Sequence, residues 1–509
     1  MKIQYKTLVL AILTSMSLTM CTLEENPPFL ASENIYTDQA GAEAALNGAY
    51  STLTDHFFYG ADYHHLVNFT SGFFTSGRTP DRSNIAALNP LSSQNYVTNV
   101  WKQSYKTISR TNDIIANISE TSESDQLLNV LGQAYYLRAH VYFNLVRFYG
   151  GVPIHTELVS ATTLHKPRAS AEEVYNLIIE DASKAKDLLF TKGNQTIGRP
   201  SDLAANMLLA KVYMALAGND DGSSYWQMAY DEAIQLYGHY SLVSSYADLW
   251  DNESTANNNS ESIFEIQFSA EVPSKLGRLF TPSNAFSGNG WQRIRPNPET
   301  IDDHMATYPN DPRIGLTFVT NYIKYNGSTP TSTSIKTYPE TARTNFGKGF
   351  PFLYKFFMKD KSLTVDATNF NYVHFRYADL LLMLAEIENE LNGPGNAYQY
   401  VNEVLERARN TGGTSEPANW SGLGQDEFRD AIMKEYQFEL LGEGQDWFNN
   451  RRRGYDNFKT NIIDIHNNRN EKGFDIVYPD DSKIMLMPIP SDEINSNQQI
   501  LPTDQNPGY

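Results

Sequence analysis

Cysteine is nearly absent: there is one in 509 residues, Cys21. A single thiol excludes an intramolecular disulfide and any cysteine-rich zinc site. Basic residues are also scarce. The chain has 40 Lys and Arg against 59 Asp and Glu, a formal net charge of −19. Phosphate binding needs a basic face, so no nucleic-acid partner is expected. Long hydrophobic runs are missing too. The longest, TLVLAILTSMSLTM at 7–20, falls short of the roughly 18 apolar residues that a membrane span requires. Catalytic signatures are lacking: there is no P-loop, no HExxH, no GxSxG and no GxGxxG after a strand. His64-His65 is the only adjacent histidine pair, and no carboxylate stands at metal-ligand spacing from it on a predicted helix. The acid pairs Asp220-Asp221 and Asp302-Asp303 lie in polar stretches and read as solvated turn residues rather than a glycosidase pair. No catalytic residue, metal or cofactor is assigned, and no enzyme activity is expected.

What is present begins with the apolar run itself. Lys2 and Lys6 precede it and no acid occurs before Glu24, the pattern of an export signal. Residues 1–20 are therefore read as a signal peptide. Leu18-Thr19-Met20-Cys21 resembles a bacterial lipobox, although Met20 stands where a small residue is usual. Cys21 is the lipidation candidate and would carry acyl chains on the first mature residue. Each buried methylene adds about 0.8 kcal/mol, so more than one chain is needed for stable anchoring. Glu24-Glu25 resemble the acidic tag that directs such proteins to the outer face in Bacteroidetes-type bacteria.

Hydrophobic content of 41% and charged content of 19% describe a globular chain. Helical periodicity covers 38–55, 93–119 and 126–149, the last stopped by Gly150-Gly151. Ser170 and Glu173 form a capping box for a helix reaching about Phe190. Pro200-Ser201 opens another that ends at Gly218, and 225–237 follows. Residues 56–92 read as irregular. From about 240 to 370 periodicity fades, apart from IFEIQF at 263–268, which alternates like a strand. Helices return at 372–391, 396–410 and 425–442, before an irregular end. The fold class is thus mostly α, a helical-repeat scaffold with a loop-rich insert. The segments are a helical region at 21–240, the insert at 241–371 and a C-terminal region at 372–509.

Small residues at helix crossings support a tetratricopeptide-like repeat, because larger side chains would hold the backbones apart. Leu384-Ala385 and Ala397 have the expected separation, with Val401 and Val404 on the packing side. Leu209-Ala210-Tyr213 pairs in the same way with Ala229 and Ala233. Arg138-Ala139 and Tyr142 read as a first helix whose partner lies beyond a long insertion.

Several stretches, in this order, resemble the SusD/RagB family. They are ALNGAY at 45–50, WKQSYKTISRTNDII at 101–115, GQAYYLRAHVYFNLVRFYGGVPI at 132–154, FRYADLLLMLAEIENELNG at 375–393, VNEVLERAR at 401–409, MPIPSDEI at 487–494 and QNPGY at 505–509. Residues 434–454 depart from the family pattern, with Tyr436, Gln445 and Asn449 where arginine or an acid is usual. The resemblance implies a cell-surface lipoprotein of the outer membrane, held by its lipid anchor. It would pack against a SusC-like TonB-dependent transporter, bind an oligosaccharide or polysaccharide, and carry out no catalysis. A peptide-binding member of the same scaffold and a protein-only adaptor are the alternatives.

A pyranose offers an apolar C–H face and a rim of hydroxyls, so flat rings beside Asn, Asp and Arg suit it. Two loop-like stretches have that composition, 56–84 and 275–295. From them the ligand-binding candidates are the rings of Trp291, Tyr59, Tyr63, Phe73 and Phe74. Arg78, Arg82, Arg293 and Arg295 could bond an acidic sugar. Asp81 and Asn289 are candidate hydroxyl partners. Trp101 and Trp447 lie in helices and read as core.

Overall fold

The computed structural model describes residues 35–36, 38–76, 80–250, 256–285, 290–327, 329–339, 349–357, 370–469 and 476–509. The signal segment and Cys21 lie outside them. Helices dominate. The N-terminal set is α1 (Gln39–Leu53), α2 (Asp62–Thr70), α3 (Pro80–Ala86), α4 (Asn95–Asn117), α5 (Asp125–Tyr149), α6 (Ala171–Leu188), α7 (Asp202–Ala217) and α8 (Tyr225–Ala233). The predicted caps are formed. The Ser170 hydroxyl accepts from the Glu173 amide while the Glu173 carboxylate accepts from the Ser170 amide. Helix α5 ends at Gly150, whose φ of +74° is open to glycine and strained for other residues.

The helices stack in sequence: α4 on α5, α5 on α6, α6 on α7 and α7 on α8. The stack continues through α12 (Tyr377–Asn392), which packs against α8, α13 (Pro394–Gly412) and α14 (Gln425–Leu440). The small-residue crossings do what their spacing implied. Ala385 and Ala397 are fully buried where α12 meets α13, with Val401 and Val404 beside them. Ala210, Ala229 and Ala233 are buried between α7 and α8. Arg138 of α5 finds its partner across the insertion, donating from Nε and Nη2 to Asp181 of α6, both at 2.7 Å.

Strands are short and pair in twos. β2 (Ser262–Ile266) pairs with β8 (Tyr372–Arg376), and β1 (Phe74–Thr75) pairs with β3 (Arg295–Pro296). β4 (Phe318–Val319) pairs with β7 (Phe352–Leu353), and β5 (Asn321–Asn326) with β6 (Thr329–Lys336). Short helices α9 (Leu276–Phe280), α10 (Pro298–Thr307) and α11 (Arg313–Thr317) lie among them, and α15 (Asp446–Arg452) follows α14. Three sequence expectations need correction. Residues 56–92 hold a π-turn at His56–Gly60 and helices α2 and α3 rather than loop. Residues 372–376 are strand, and the helix begins at Tyr377. Asp302 and Asp303 sit within α10, ion-paired to Arg469 at 3.5 Å and Lys434 at 3.1 Å, rather than in a turn. Among the described residues no helix is long and apolar enough to cross a membrane.

A buried ion network ties the insert to the C-terminal helices. Arg376 donates to Glu443 at 2.7 and 2.9 Å, to Glu439 Oε1 at 2.8 Å and to the Glu439 carbonyl at 2.9 Å. Arg313 bonds Asp311, Glu435 and Glu439. Arg407 bonds Glu261 and Glu439, and Lys355 bonds Glu443. These side chains are at most 5% exposed. The stretch that departs from the family pattern supplies Glu435, Glu439 and Glu443, so its work is structural.

Candidate ligand-binding shelf

Helix α9 and a strap at 290–294 build the most exposed cluster of predicted site residues. The strap is zipped onto α9 and the turn after it. Trp291 N donates to Arg278 O at 2.6 Å, Gln292 N to Thr281 O at 2.9 Å and Arg293 N to Leu279 O at 2.8 Å. Gly290 makes this approach possible, since a Cβ there would lie 2.3 Å from the carbonyl oxygens of Thr281 and Pro282. Trp291 is therefore displayed on a fixed backbone and is half-buried.

Its surroundings differ from the expected bare platform. The Arg278 and Arg293 guanidinium carbons lie over the Trp291 ring, 4.4 and 4.2 Å from its centroid. Such cation–π contacts are favourable and hold the planar forks in place. The His56 ring meets Trp291 edge to face at 6.3 Å, and Phe57 meets His56 the same way at 5.4 Å. Phe57 is 49% exposed and His56 is exposed. Asp55 caps the turn by accepting from Phe57 N at 2.9 Å and pairs with Lys106 at 3.6 Å. Asp62 accepts from Asn99 Nδ2 at 2.7 Å. Burial pushes the Asp62 carboxyl up in pKa, opposed by the Asn99 bond and by His56 and Arg293. Burial also pushes the Arg293 guanidinium down, and the neighbouring charges of Arg82 and Arg278 add to the shift.

Other candidates are placed elsewhere. Tyr59 and Tyr63 are fully buried, because the π-turn and α2 are covered by α4, α5 and β8. Tyr59 Oη meets His140 Nε2 at 2.8 Å, and its ring stacks on Tyr372 at 5.7 Å. Burial pushes His64 and His140 down to about 3, so this aromatic–histidine core is neutral. Phe74 is fully buried on β1, edge to face with Phe280. These three rings have no face for a ligand. Arg295 is 5% exposed, lies 4.2 Å over Phe352 and is pushed down to about 9 by burial. Phe73, 7% exposed, lines a separate cleft of about 710 Å³ together with Met433, Gln437 and Asn461. Arg82 is the exception: its charge acts on Arg293 of the shelf, but it is only 8% exposed and donates from Nε to Ser76 Oγ at 3.2 Å. Trp101 and Trp447 are core, as expected. Arg78, Asn289 and the side chain of Asp81 lie outside the described residues. Phe57, His56 and Arg278 join this cluster without having been among the candidates; Phe57 lies two residues after the Asp55 cap. Among the described residues no group of three or more His, Cys, Asp or Glu is placed to hold a metal ion.

Comparison with known proteins agrees with the arrangement of the helices. Residues 247–509 match the family model described as the SusD family. The chain belongs to the SusD family. Residues 12–214 match a second model, described as starch-binding and associating with the outer membrane. The SusD-like protein P2 of Formosa agariphila is 28% identical, over 99% of this chain and all of that protein. The SusD-like protein P25 of the same organism is 27% identical, over 83% of this chain and 84% of that one. Among solved structures, a SusD homologue from Bacteroides thetaiotaomicron superposes with a TM-score of 0.80 at 23% identity, over 94% of this chain and 98% of that one. Surface glycan-binding protein A from Bacteroides uniformis gives 0.72 at 23% identity, over 92% and 99%. At these identities the structural likeness shows the SusD fold alone.

Proposed function

We propose that the chain is a surface lipoprotein, anchored through Cys21, that binds oligosaccharide on the Trp291 shelf. It passes the cargo to a TonB-dependent transporter of the outer membrane and breaks no covalent bond. The observation that carries this reading is the shelf itself. Phe57, His56 and Trp291 form a continuous edge-to-face row at the surface, with guanidinium forks fixed beside it. Phe57 offers the open apolar ring for a sugar's C–H face, and the forks suit its oxygens. The description of the matching family model and the name of the Bacteroides uniformis neighbour support a glycan as cargo. A carrier needs only micromolar to millimolar affinity, about 4–8 kcal/mol, which a few such contacts can supply.

Titration of the purified mature chain against an oligosaccharide panel tests the reading. Trp291→Ala and Phe57→Ala are each expected to weaken binding by roughly tenfold or more, about 1.4 kcal/mol, with no turnover of the sugar. Unchanged affinity in both variants would remove the shelf from the mechanism, and binding of peptides alone would replace the glycan reading. Gly290→Ala provides a backbone test. Its methyl group would collide with two carbonyl oxygens, so the strap must lift and carry Trp291 and Arg293 with it. Binding is expected to fall by at least about tenfold, while the far-UV circular dichroism of the helical stack stays as in the wild type.

A further inference from the structure

We propose that the shelf selects an anionic oligosaccharide, with the Arg293 guanidinium, flanked by Arg82 and Arg278, reading a carboxylate or sulfate group. This rests on the glycan-binding reading above and narrows its ligand. The buried arginines elsewhere show how unusual Arg293 is. Arg138 is paired with Asp181, Arg313 with Asp311, Arg376 with Glu443, and Arg407 with Glu261. Arg147 meets no carboxylate among the described residues, but it lies 3.8 and 3.7 Å over the rings of Phe143 and Phe448 and donates to Asn144. Arg293 is half-buried, stacks on Trp291, and its guanidinium donates no hydrogen bond to any described residue. A guanidinium carries five N–H donors in a planar fork, so its capacity is unspent.

Charge points the same way. Arg278 and Arg293 both lie over the Trp291 ring, 4.4 and 4.2 Å from its centroid, and the Arg278 charge acts on Arg293. Arg82 also lies within electrostatic reach of Arg293. Like charges so placed repel one another. Neither nearby carboxylate forms an ion pair with Arg293: Asp55 is held by Lys106 and Phe57 N, and Asp62 by Asn99 Nδ2. Asp62 still tempers the field at Arg293 and His56. Among the described residues, further titratable neighbours are His65, beside Asp62 at 3.8 Å, and Tyr96, stacked on His65. Three guanidiniums in a chain of net charge −19 are a local exception. An anionic group bound at Arg293 would use the open fork, with the bidentate geometry that suits carboxylate and sulfate.

The experiment is calorimetric titration with three probes of matched length: an oligogalacturonate, a sulfated galactan oligosaccharide and a neutral galactan oligosaccharide. The expected result is tighter binding of one or both charged probes than of the neutral one, weakening as sodium chloride is raised. Which charged probe binds identifies the group as carboxylate or sulfate. Arg293→Gln is expected to cost roughly ten- to hundredfold for the charged probe and to flatten its salt dependence, with an unchanged thermal midpoint. Equal or tighter binding of the neutral probe overturns this inference and leaves the glycan reading standing. A charged probe whose affinity and salt dependence are untouched by Arg293→Gln also overturns it. Failure of all three probes and of the wider panel removes the glycan reading as well.

Discussion

Replacing Arg376 by methionine is expected to destabilise the fold by about 3–5 kcal/mol, read as a lower urea midpoint at pH 7. Methionine keeps most of the buried volume, so the loss would be electrostatic. Arg376 is 2% exposed and spends its fork on Glu443, Glu439 and a backbone carbonyl. Its charge helps to hold Glu439 well below, and Glu443 below, the ordinary carboxylate value against the opposing cost of burial. Without it, carboxylates sealed from water would keep fewer counter-ions, and one must take up a proton or the helices must part. The effect reaches beyond one helix because Arg376 ends β8, while Glu439 and Glu443 lie at and beyond the end of α14. Arg376→Lys keeps the charge but cannot reach all the acceptors, so it is expected to fall between the wild type and the methionine variant. A midpoint shift equivalent to less than about 1 kcal/mol, within the range of an exposed pair, would mean that the network carries little of the stability.

The same burial explains which parts of the fold were legible in the sequence. Helices α4 and α6 have one wet and one dry face, so their apolar residues recur at helical spacing and their bounds were read within a few residues. Helix α2 has no wet face: all nine of its residues are buried, including Asp62, His64, His65 and Asn68. A segment covered on every side needs no amphipathic period, and polar residues inside it look like loop. Strand β8 was absorbed into α12 for a related reason. Both are almost wholly buried and run together at Arg376-Tyr377 without a breaker.

The candidate site divides along the same line. Trp291 was legible because Gly and Asn surround it, and glycine marks a backbone that must approach another closely. Composition does not say which ring of HFFYG turns outward. In the π-turn Phe57 faces solvent while Phe58 and Tyr59 face the core, so the exposed ring was missed and a buried one chosen. The role of Trp291 was also only half legible. Its ring holds Arg278 and Arg293, and those arginines come together through the pairing of the strap with α9, a long-range match that composition does not encode.

The ion network makes a second strong prediction, in its response to pH. Its members are four cations, Arg313, Arg376, Arg407 and Lys355, and five carboxylates, Asp311, Glu261, Glu435, Glu439 and Glu443. One carboxylate is in excess. Glu435 meets that imbalance, since burial, despite the opposing charge of Arg313, pushes it up to about 7. Its Oε2 is buried without a partner, while Oε1 accepts from Arg313 at 2.5 Å. The folded chain therefore keeps a proton that the unfolded chain releases near the ordinary glutamate value of about 4.3. The folded state binds more protons across that window, so stability falls as pH rises from about 4.5 to 7, by roughly 3 kcal/mol. Asp446, pushed up to about 7 by burial, adds a slope of the same sign. Glu439 and Glu443 act oppositely, their contribution being lost only as pH falls through their depressed values. Glu435→Gln keeps an acceptor for Arg313 and removes the titration. Between pH 5 and pH 8 the variant is expected to lose about half as much stability as the wild type, and to be the more stable of the two at pH 8. Parallel urea-midpoint profiles for the two chains across that range would show that the extra proton is held elsewhere.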